Sequence, residues 1–301
     1  MNKVISARNT HRSFASRFID VMIKKELNER SAKHNERRNA PIAVFGNDWI
    51  GISINVDGLY EAENIADLIQ LLKTFKINFE HSSAVDIGAN IGNHSIEFSK
   101  YFSRVICFEP NPRTFDLLSA NTKRLTNVAI HNFGCSSSLE KIKFKEDYNN
   151  LGGSSSAIDI LGNNEIEILV KPLDDLFDDL SNVELIKIDV EGMEYSALKG
   201  AEKVISKFHP VICLEQHEAE FQSGYIETQS LDWLRSKGYR IFTLKNKKRR
   251  SFIIRRLNNI KQLFFGVQEN REIIEYTKLP RSTYSSIYAV HQAKFNEHAA
   301  F

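Results

Sequence analysis

From residue 84 onward, short apolar runs alternate with segments of helix length. That rhythm restricts the fold more than any other feature of the chain. AVDI (84–87), VICFE (105–109), NVAIHN (127–132), LIKIDV (185–190), VICLEQ (211–216), YRIFTL (239–244) and SSIYAV (285–290) read as strands. Residues 93–102, 112–124, 195–207 and 228–237 read as helices between them. Strands that are apolar along their whole length are buried on both faces, and helices in the connections cover those faces. The expectation is an α/β fold: a mostly parallel, seven-stranded sheet with helices on both faces, joined by right-handed crossovers. Between 139 and 170 the rhythm gives way to polar alternation, KIKFK and EIEILV, around a Gly/Ser loop. This reads as a β insertion over the C-terminal edge of the sheet.

The N-terminal part has a different texture. Residues 14–38 form a basic helical pattern ended by Pro41. IAVF and WIGISI, on either side of Gly46-Asn47-Asp48, read as a hairpin. Residues 61–75 make an amphipathic helix with Ile65, Leu68, Ile69, Leu72 and Phe75 on one face. The chain therefore divides into an extension, 1–80, and a domain, 81–301, carrying a basic insertion at 245–284.

Composition narrows the function classes. With 42% hydrophobic and 26% charged residues the chain is neither disordered nor a disulfide scaffold. Cys107, Cys135 and Cys213 lie far apart in sequence and form no CxxC pair, so buried reduced thiols and a cytoplasmic setting are expected. No run approaches the roughly 18 apolar residues of a membrane span. The first forty residues show no apolar core of a signal peptide. The overall charge of +2 hides an asymmetry. Residues 1–38 hold ten Lys/Arg against four Asp/Glu, and 245–268 hold eight with no acid, so the remainder is strongly acidic. The segment 245–268 interleaves cations with Phe252, Leu257, Ile260, Phe264 and Phe265. It reads first as a helix packed on the body, second as a peripheral contact with the inner face of an anionic membrane or with an anionic polymer, and last as a nucleic-acid contact.

In sheets of this kind ligands bind where strands end. The first strand ends in Asp86-Ile-Gly88-Ala-Asn90-Ile-Gly92-Asn93, where two glycines permit a tight turn and Asn93 opens the next helix. The second strand ends in Glu109, 17 residues after Gly92, where an acid can accept hydrogen bonds from both ribose hydroxyls. NAD and S-adenosylmethionine sites share this geometry. The absence of a third glycine and the carboxylate of Asp86, suited to an ammonium group, favour S-adenosylmethionine. His94 opens the first helix and reads as a packing or capping residue. Asp174, Asp175, Asp178 and Asp179 alternate with Leu173, Leu176, Phe177 and Leu180, which is the wet face of a short helix rather than a metal cluster. No metal site is expected. The pair Tyr195 and Lys199 matches a dehydrogenase motif whose glycine pattern is missing.

VDIGANIGNHS, CFEPNP, the GGSS loop, PLDDL, IKIDVEGMEYSALKGA and PVICLEQH, in this order, resemble the FkbM family of S-adenosylmethionine-dependent methyltransferases. The resemblance covers roughly residues 80–245. It implies a Rossmann-like class I methyltransferase fold, S-adenosylmethionine as methyl donor, and O-methylation of a hydroxyl, often on a saccharide or natural product. By this resemblance Asp86, Gly88, Ala89, Asn90, Gly92 and Asn93 cradle the methionine and ribose moieties. Glu109 holds the ribose, and Pro110 and Asn111 shape the adenosine edge. Gly134 and Cys135 flank the adenine. Asp189 and Glu191 lie beside the transferring methyl, and Glu215 and His217 end the next strand. His217, Asp189 and Glu191 are the candidate bases for the acceptor proton. Gly153 and Ser154, with Glu215, are candidate substrate contacts. The expected acceptor is a hydroxyl of a saccharide or cell-surface polysaccharide. A secondary metabolite, an RNA, or a binding role without turnover are the alternatives. Nothing in the pattern fixes an oligomeric state.

Overall fold

The computed structural model describes residues 13–38, 41–145, 165–216, 221, 227–246 and 271–296. The chain divides into two compact units, Met1–Tyr60 and Glu61–Phe301. The smaller unit contains α1 (Phe14–Arg38) and α2 (Trp49–Asp57). The second of these corrects the expected hairpin. Asp48 takes extended backbone and accepts from the Gly51 N–H, while Gly58, in the left-handed region at φ 90°, donates to the Ile54 carbonyl. An acid before the run and a glycine after it are helix start and stop signals, and they override the β-branched content of WIGISI.

The larger unit opens with α3 (Ala62–Thr74), whose predicted apolar face is buried at Ile65, Leu68, Ile69 and Leu72. Then follow β1 (Ser83–Ile87), α4 (Asn93–Phe98), β2 (Arg104–Phe108), α5 (Pro112–Thr122) and β3 (Val128–His131). A small insertion comes next: β4 (Gly134–Cys135), β5 (Glu140–Lys145) and β6 (Glu165–Lys171). The chain returns through β7 (Val183–Ile188), α6 (Glu194–Gly200), α7 (Glu202–Phe208), β8 (Val211–Gln216), α8 (Gln229–Ser236) and β9 (Tyr239–Asn246). It closes with β10 (Arg271–Tyr276), β11 (Tyr284–His291) and α9 (Ala293–Asn296).

The main sheet runs β10-β9-β11-β8-β7-β1-β2-β3. β8, β7, β1, β2 and β3 pair in parallel, and β11 is inserted antiparallel between β8 and β9. It has eight strands rather than seven. The added β10 is an edge strand paired, among the described residues, with β9 alone, and none of its side chains is fully buried, so it carries little of the apolar signal of an inner strand. The small strands form a separate sheet in the order β4-β6-β5. Every residue of β1 is buried. Val85, Ile87, Ile106, Phe108, Ile186, Ile188, Ile212 and Leu214 join Leu198, Val204 and Leu231 in one core. Truncating one such Ile or Leu to Ala costs about 2–5 kcal/mol.

The helix expected over 195–207 is two. Gly200 ends α6 where a Cβ would overlap the Ser136 carbonyl oxygen, so only glycine lets this helix sit against the small sheet. The chain bends at Ala201, and both oxygens of Asp174 accept from the first turn of α7, from Lys203 N at 2.9 Å and Val204 N at 3.1 Å. Residues 173–179 form a 3-10 helix, so the acidic run is a helix face and one of its members is a cap. The three cysteines are free and buried. Among the described residues no helix is long and apolar enough to cross a membrane. The basic segment 245–268 lies outside the described residues apart from its first two, which end β9.

Candidate active site

The chain runs from β1 outward to β2 and β3, then returns to place β7 on the opposite side of β1. A crevice therefore opens where the loops after β1 and β7 diverge. The β1 loop is shaped by backbone. Gly88 has φ 80°, and a Cβ there would overlap the Asp189 carbonyl oxygen, so the loops after β1 and β7 approach more closely than any side chain permits. The Gly88 and Ala89 N–H groups both donate to the Phe108 carbonyl, which ties the loop to the end of β2.

Glu109 holds the loops on the β2 side. Its Oε2 accepts from Asn90 N and its Oε1 from Asn111 N, both at 2.9 Å. Burial pushes its carboxyl up to about 7; the two backbone N–H groups offset part of that rise, and Asp189 and Asp86 add to it. Asn111 also accepts from Arg113 N and so caps α5. Gly88, Asn90, Glu109, Pro110, Asn111, Gly134, Cys135, Asp189 and Glu191, all named from sequence, line one cavity. Phe144, Ile168 and Val170 from the small sheet and Met193 give it apolar walls.

Other expected residues lie elsewhere. Asp86 is fully buried and is not on the cavity wall. Its Oδ2 accepts from Ser95 Oγ at 2.6 Å, and its Oδ1 lies 3.6 Å from Lys187 Nζ. A carboxylate so enclosed is not placed to receive an ammonium group from the cavity. Ala89 and Asn93 are buried in the turn and first helical residue, and Gly92, at φ 92°, makes the turn without lining the cavity. Glu215 lines a second, much smaller pocket. His217, Gly153 and Ser154 lie outside the described residues.

Lys187 escaped the sequence reading. It is nearly buried in the middle of the sheet, with Nζ 3.1 Å from Asp189 Oδ2. Burial opposes its charge, but Asp189, Asp86 and Glu215 outweigh burial and hold its ammonium above the usual lysine range. The signal was present: one lysine inside the apolar run LIKIDV. Glu194 was missed as well. It accepts from Gly192 N at 3.1 Å and Val190 N at 3.3 Å, fixing the turn in which Glu191 sits at φ 50°. Burial raises its carboxyl above the usual range. Among the described residues, no three His, Cys, Asp or Glu side chains gather as a metal-binding group.

The profile of the methyltransferase FkbM domain matches residues 86–241, which include every residue lining the cavity. The hexuronic acid methyltransferase AglP of Haloferax volcanii is 32% identical over 132 residues, covering 42% of this chain and 53% of that protein. The methyltransferase sdnD of Sordaria araneosa is 28% identical over 155 residues, covering 40% and 60%. The chain thus spans only about half of the first relative and three-fifths of the second. A crystal structure of a methyltransferase FkbM from Methylobacillus flagellatus shares 24% identity over 56% of this chain and 41% of that one, with a TM-score of 0.37. Since the domain profile covers more than half of its length and encloses the whole cavity, this chain belongs to the methyltransferase FkbM family.

Proposed function

We propose that the chain is an S-adenosylmethionine-dependent O-methyltransferase that acts on a hydroxyl of a saccharide. The observation that carries the donor is the pairing of Gly88 with Glu109: a backbone cradle with no room for a Cβ, and a buried carboxylate beside it. The lining residues suit this donor. Glu109 would accept from the ribose hydroxyls, and the apolar wall of Phe144, Ile168 and Val170 suits the adenine. Asp189 and Glu191 supply negative charge where the donor is cationic. The bound donor supplies a methyl on a sulfonium: the hydroxyl oxygen forms the new C–O bond, the S–C bond breaks with its electron pair left on sulfur, and the hydroxyl proton is released.

The residues of this chain then have three tasks. The Gly88 and Asp189 loops position the reactants, which is the main source of rate in such a transfer. The walls from the small sheet exclude water. A base near the end of β7 or β8 receives the proton. The saccharide acceptor is supported by the match to AglP, named as a hexuronic acid methyltransferase. Calorimetry with S-adenosylmethionine, followed by transfer of a labelled methyl to a panel of simple glycosides, tests this reading. Binding and transfer are expected. A folded protein that binds no S-adenosylmethionine would overturn it.

A further inference from the structure

The two halves of α1 are held differently. Ser13 opens the helix: its Oγ accepts from Ser16 N at 3.2 Å and its carbonyl from Arg17 N at 3.1 Å. The second half is tied to α2. Arg30 donates to the Val56 carbonyl at 3.0 Å, and His34 Nε2 lies 3.2 Å from the same oxygen. Glu26 and Arg30, one turn apart with the acid first, pair on the helix surface. No residue of α1 is buried. In the first half Phe14, Phe18, Ile19, Val21, Met22 and Ile23 each expose more than half of their surface. Ile54 is the one buried large hydrophobic among the described residues of this unit, so these six side chains have no core of its own to join. Six large apolar side chains on one short stretch of helix form a patch at or above the ~300–600 Å² of the largest patch on an ordinary soluble monomer, and such patches mark interaction surfaces.

Two observations bear on what covers this face. At 3.6 residues per turn the six side chains fall on an arc of about 200°. Arg17, Asp20 and Lys24, at i, i+3 and i+7, share the stripe that is left. A seam between two helices is narrower than that arc. A helix lying in the surface of a bilayer buries its apolar side about 5–10 Å deep, which takes up roughly half of its girth. Charge points the same way. Residues 1–25 hold six Lys/Arg against one acid, Asp20; three of the cations precede the apolar block and two follow it. Two copies of this segment laid together would bring like charges close, whereas an anionic surface complements them. We propose that the first half of α1 is a docking surface for anionic lipid, in which Phe14, Phe18 and Met22 sink among the headgroups and the cations that bracket them meet lipid phosphates. The docking is independent of the methyl-transfer chemistry.

The basic run 245–268 is a second source of positive charge, so the test acts on α1 alone. The full chain is sedimented with vesicles of phosphatidylglycerol mixed with phosphatidylcholine, and with phosphatidylcholine alone. The wild type should bind the anionic vesicles at low salt, release them as salt rises, and ignore the neutral ones. Phe14→Gln, Phe18→Gln and Met22→Gln together should weaken binding roughly a hundredfold or more. Helical content and melting should not change, because all three side chains are exposed. Arg17→Gln with Lys24→Gln should weaken binding roughly twentyfold, at about fivefold per cation. Phe18→Trp puts a reporter in the block, read against the wild type with its own Trp49 and Trp233. Its emission should move to the blue on anionic vesicles and be quenched by lipid brominated in the acyl chains. The proposal is overturned if the wild type ignores anionic vesicles at low salt, if the triple variant binds them as well as the wild type, or if the reporter does not respond. A concentration-dependent dimer that the triple variant abolishes, without lipid binding, would assign the face to a second copy instead.

Discussion

The two sides of β1 hold their neighbours by different means. Toward β2 the connection is made of backbone N–H groups: those of Gly88 and Ala89 donate to the Phe108 carbonyl, and the Glu109 carboxylate accepts two more. Toward β7 the close approach of Gly88 to the Asp189 carbonyl is joined by side-chain charge, with Lys187 between Asp86 and Asp189. Backbone recognition demands particular residue types at particular spacings, so it leaves a motif. Charge pairing between strands distant in sequence leaves only an isolated lysine in an apolar run. The β2 side can therefore be read from the chain, and the charge on the β7 side requires the fold.

The largest effect is expected from Gly88→Val. A branched side chain at φ 80° meets the Asp189 carbonyl, and the two loops must separate. Calorimetry should find no S-adenosylmethionine binding. Retained affinity would mean that the cradle is not where the donor lies.

On the charged side, Lys187→Met should destabilise the fold by about 3–5 kcal/mol, because two carboxylates are left without their cation. Adding Asp86→Asn should restore part of the loss in denaturant unfolding. If the single variant unfolds like the wild type, Lys187 is better solvated than its burial indicates.

Smaller again is the effect of Glu109→Ala on donor affinity. Losing hydrogen bonds to a charged acceptor costs about 1.5–3 kcal/mol, or tenfold or more in the dissociation constant. The Asn90 and Asn111 N–H groups lose their acceptor as well, so a lowered melting temperature should accompany the weaker binding.

The smallest effect lies outside both sides. Asp174→Ala removes the cap of α7 and should lower stability by about 1 kcal/mol with donor binding intact. A change in affinity would show that α7 reports on the site.

Where apolar period and turn chemistry agreed, the fold was legible. α1 begins and ends where its pattern does, and β1 is the buried run that AVDI implies. Where they conflicted, at 49–57, Asp48 and Gly58 decided for a helix and the branched residues misled. β10 was invisible because an edge strand is half-wet and sits beside a basic run. In the site, Gly88 and Glu109 were legible as cavity-lining positions because a tight turn needs a glycine where a Cβ would meet a carbonyl, and an acid at the end of an apolar strand stands out. Asp86 was read as a ligand for want of its partners, Ser95 and Lys187. His94 was read as a packing or capping residue, and its ring does lie against Phe98; its contact with Glu61, 33 positions earlier in the chain, needed the fold.

The most direct test of the account is calorimetry of S-adenosylhomocysteine at pH values on either side of about 7, in buffers of different ionisation enthalpy. The folded apoprotein holds the Glu109 proton up to about 7, whereas an ordinary carboxyl releases it near 4.5. Between those values this group makes the fold less stable as pH rises, and hydroxyl donation from the ligand favours the ionised form. Binding below about 7 should therefore release a proton, affinity should rise as pH increases through that value, and Glu109→Gln should lose both effects. A pH-independent affinity that Glu109→Gln leaves untouched would contradict the placement of the donor at the end of β2.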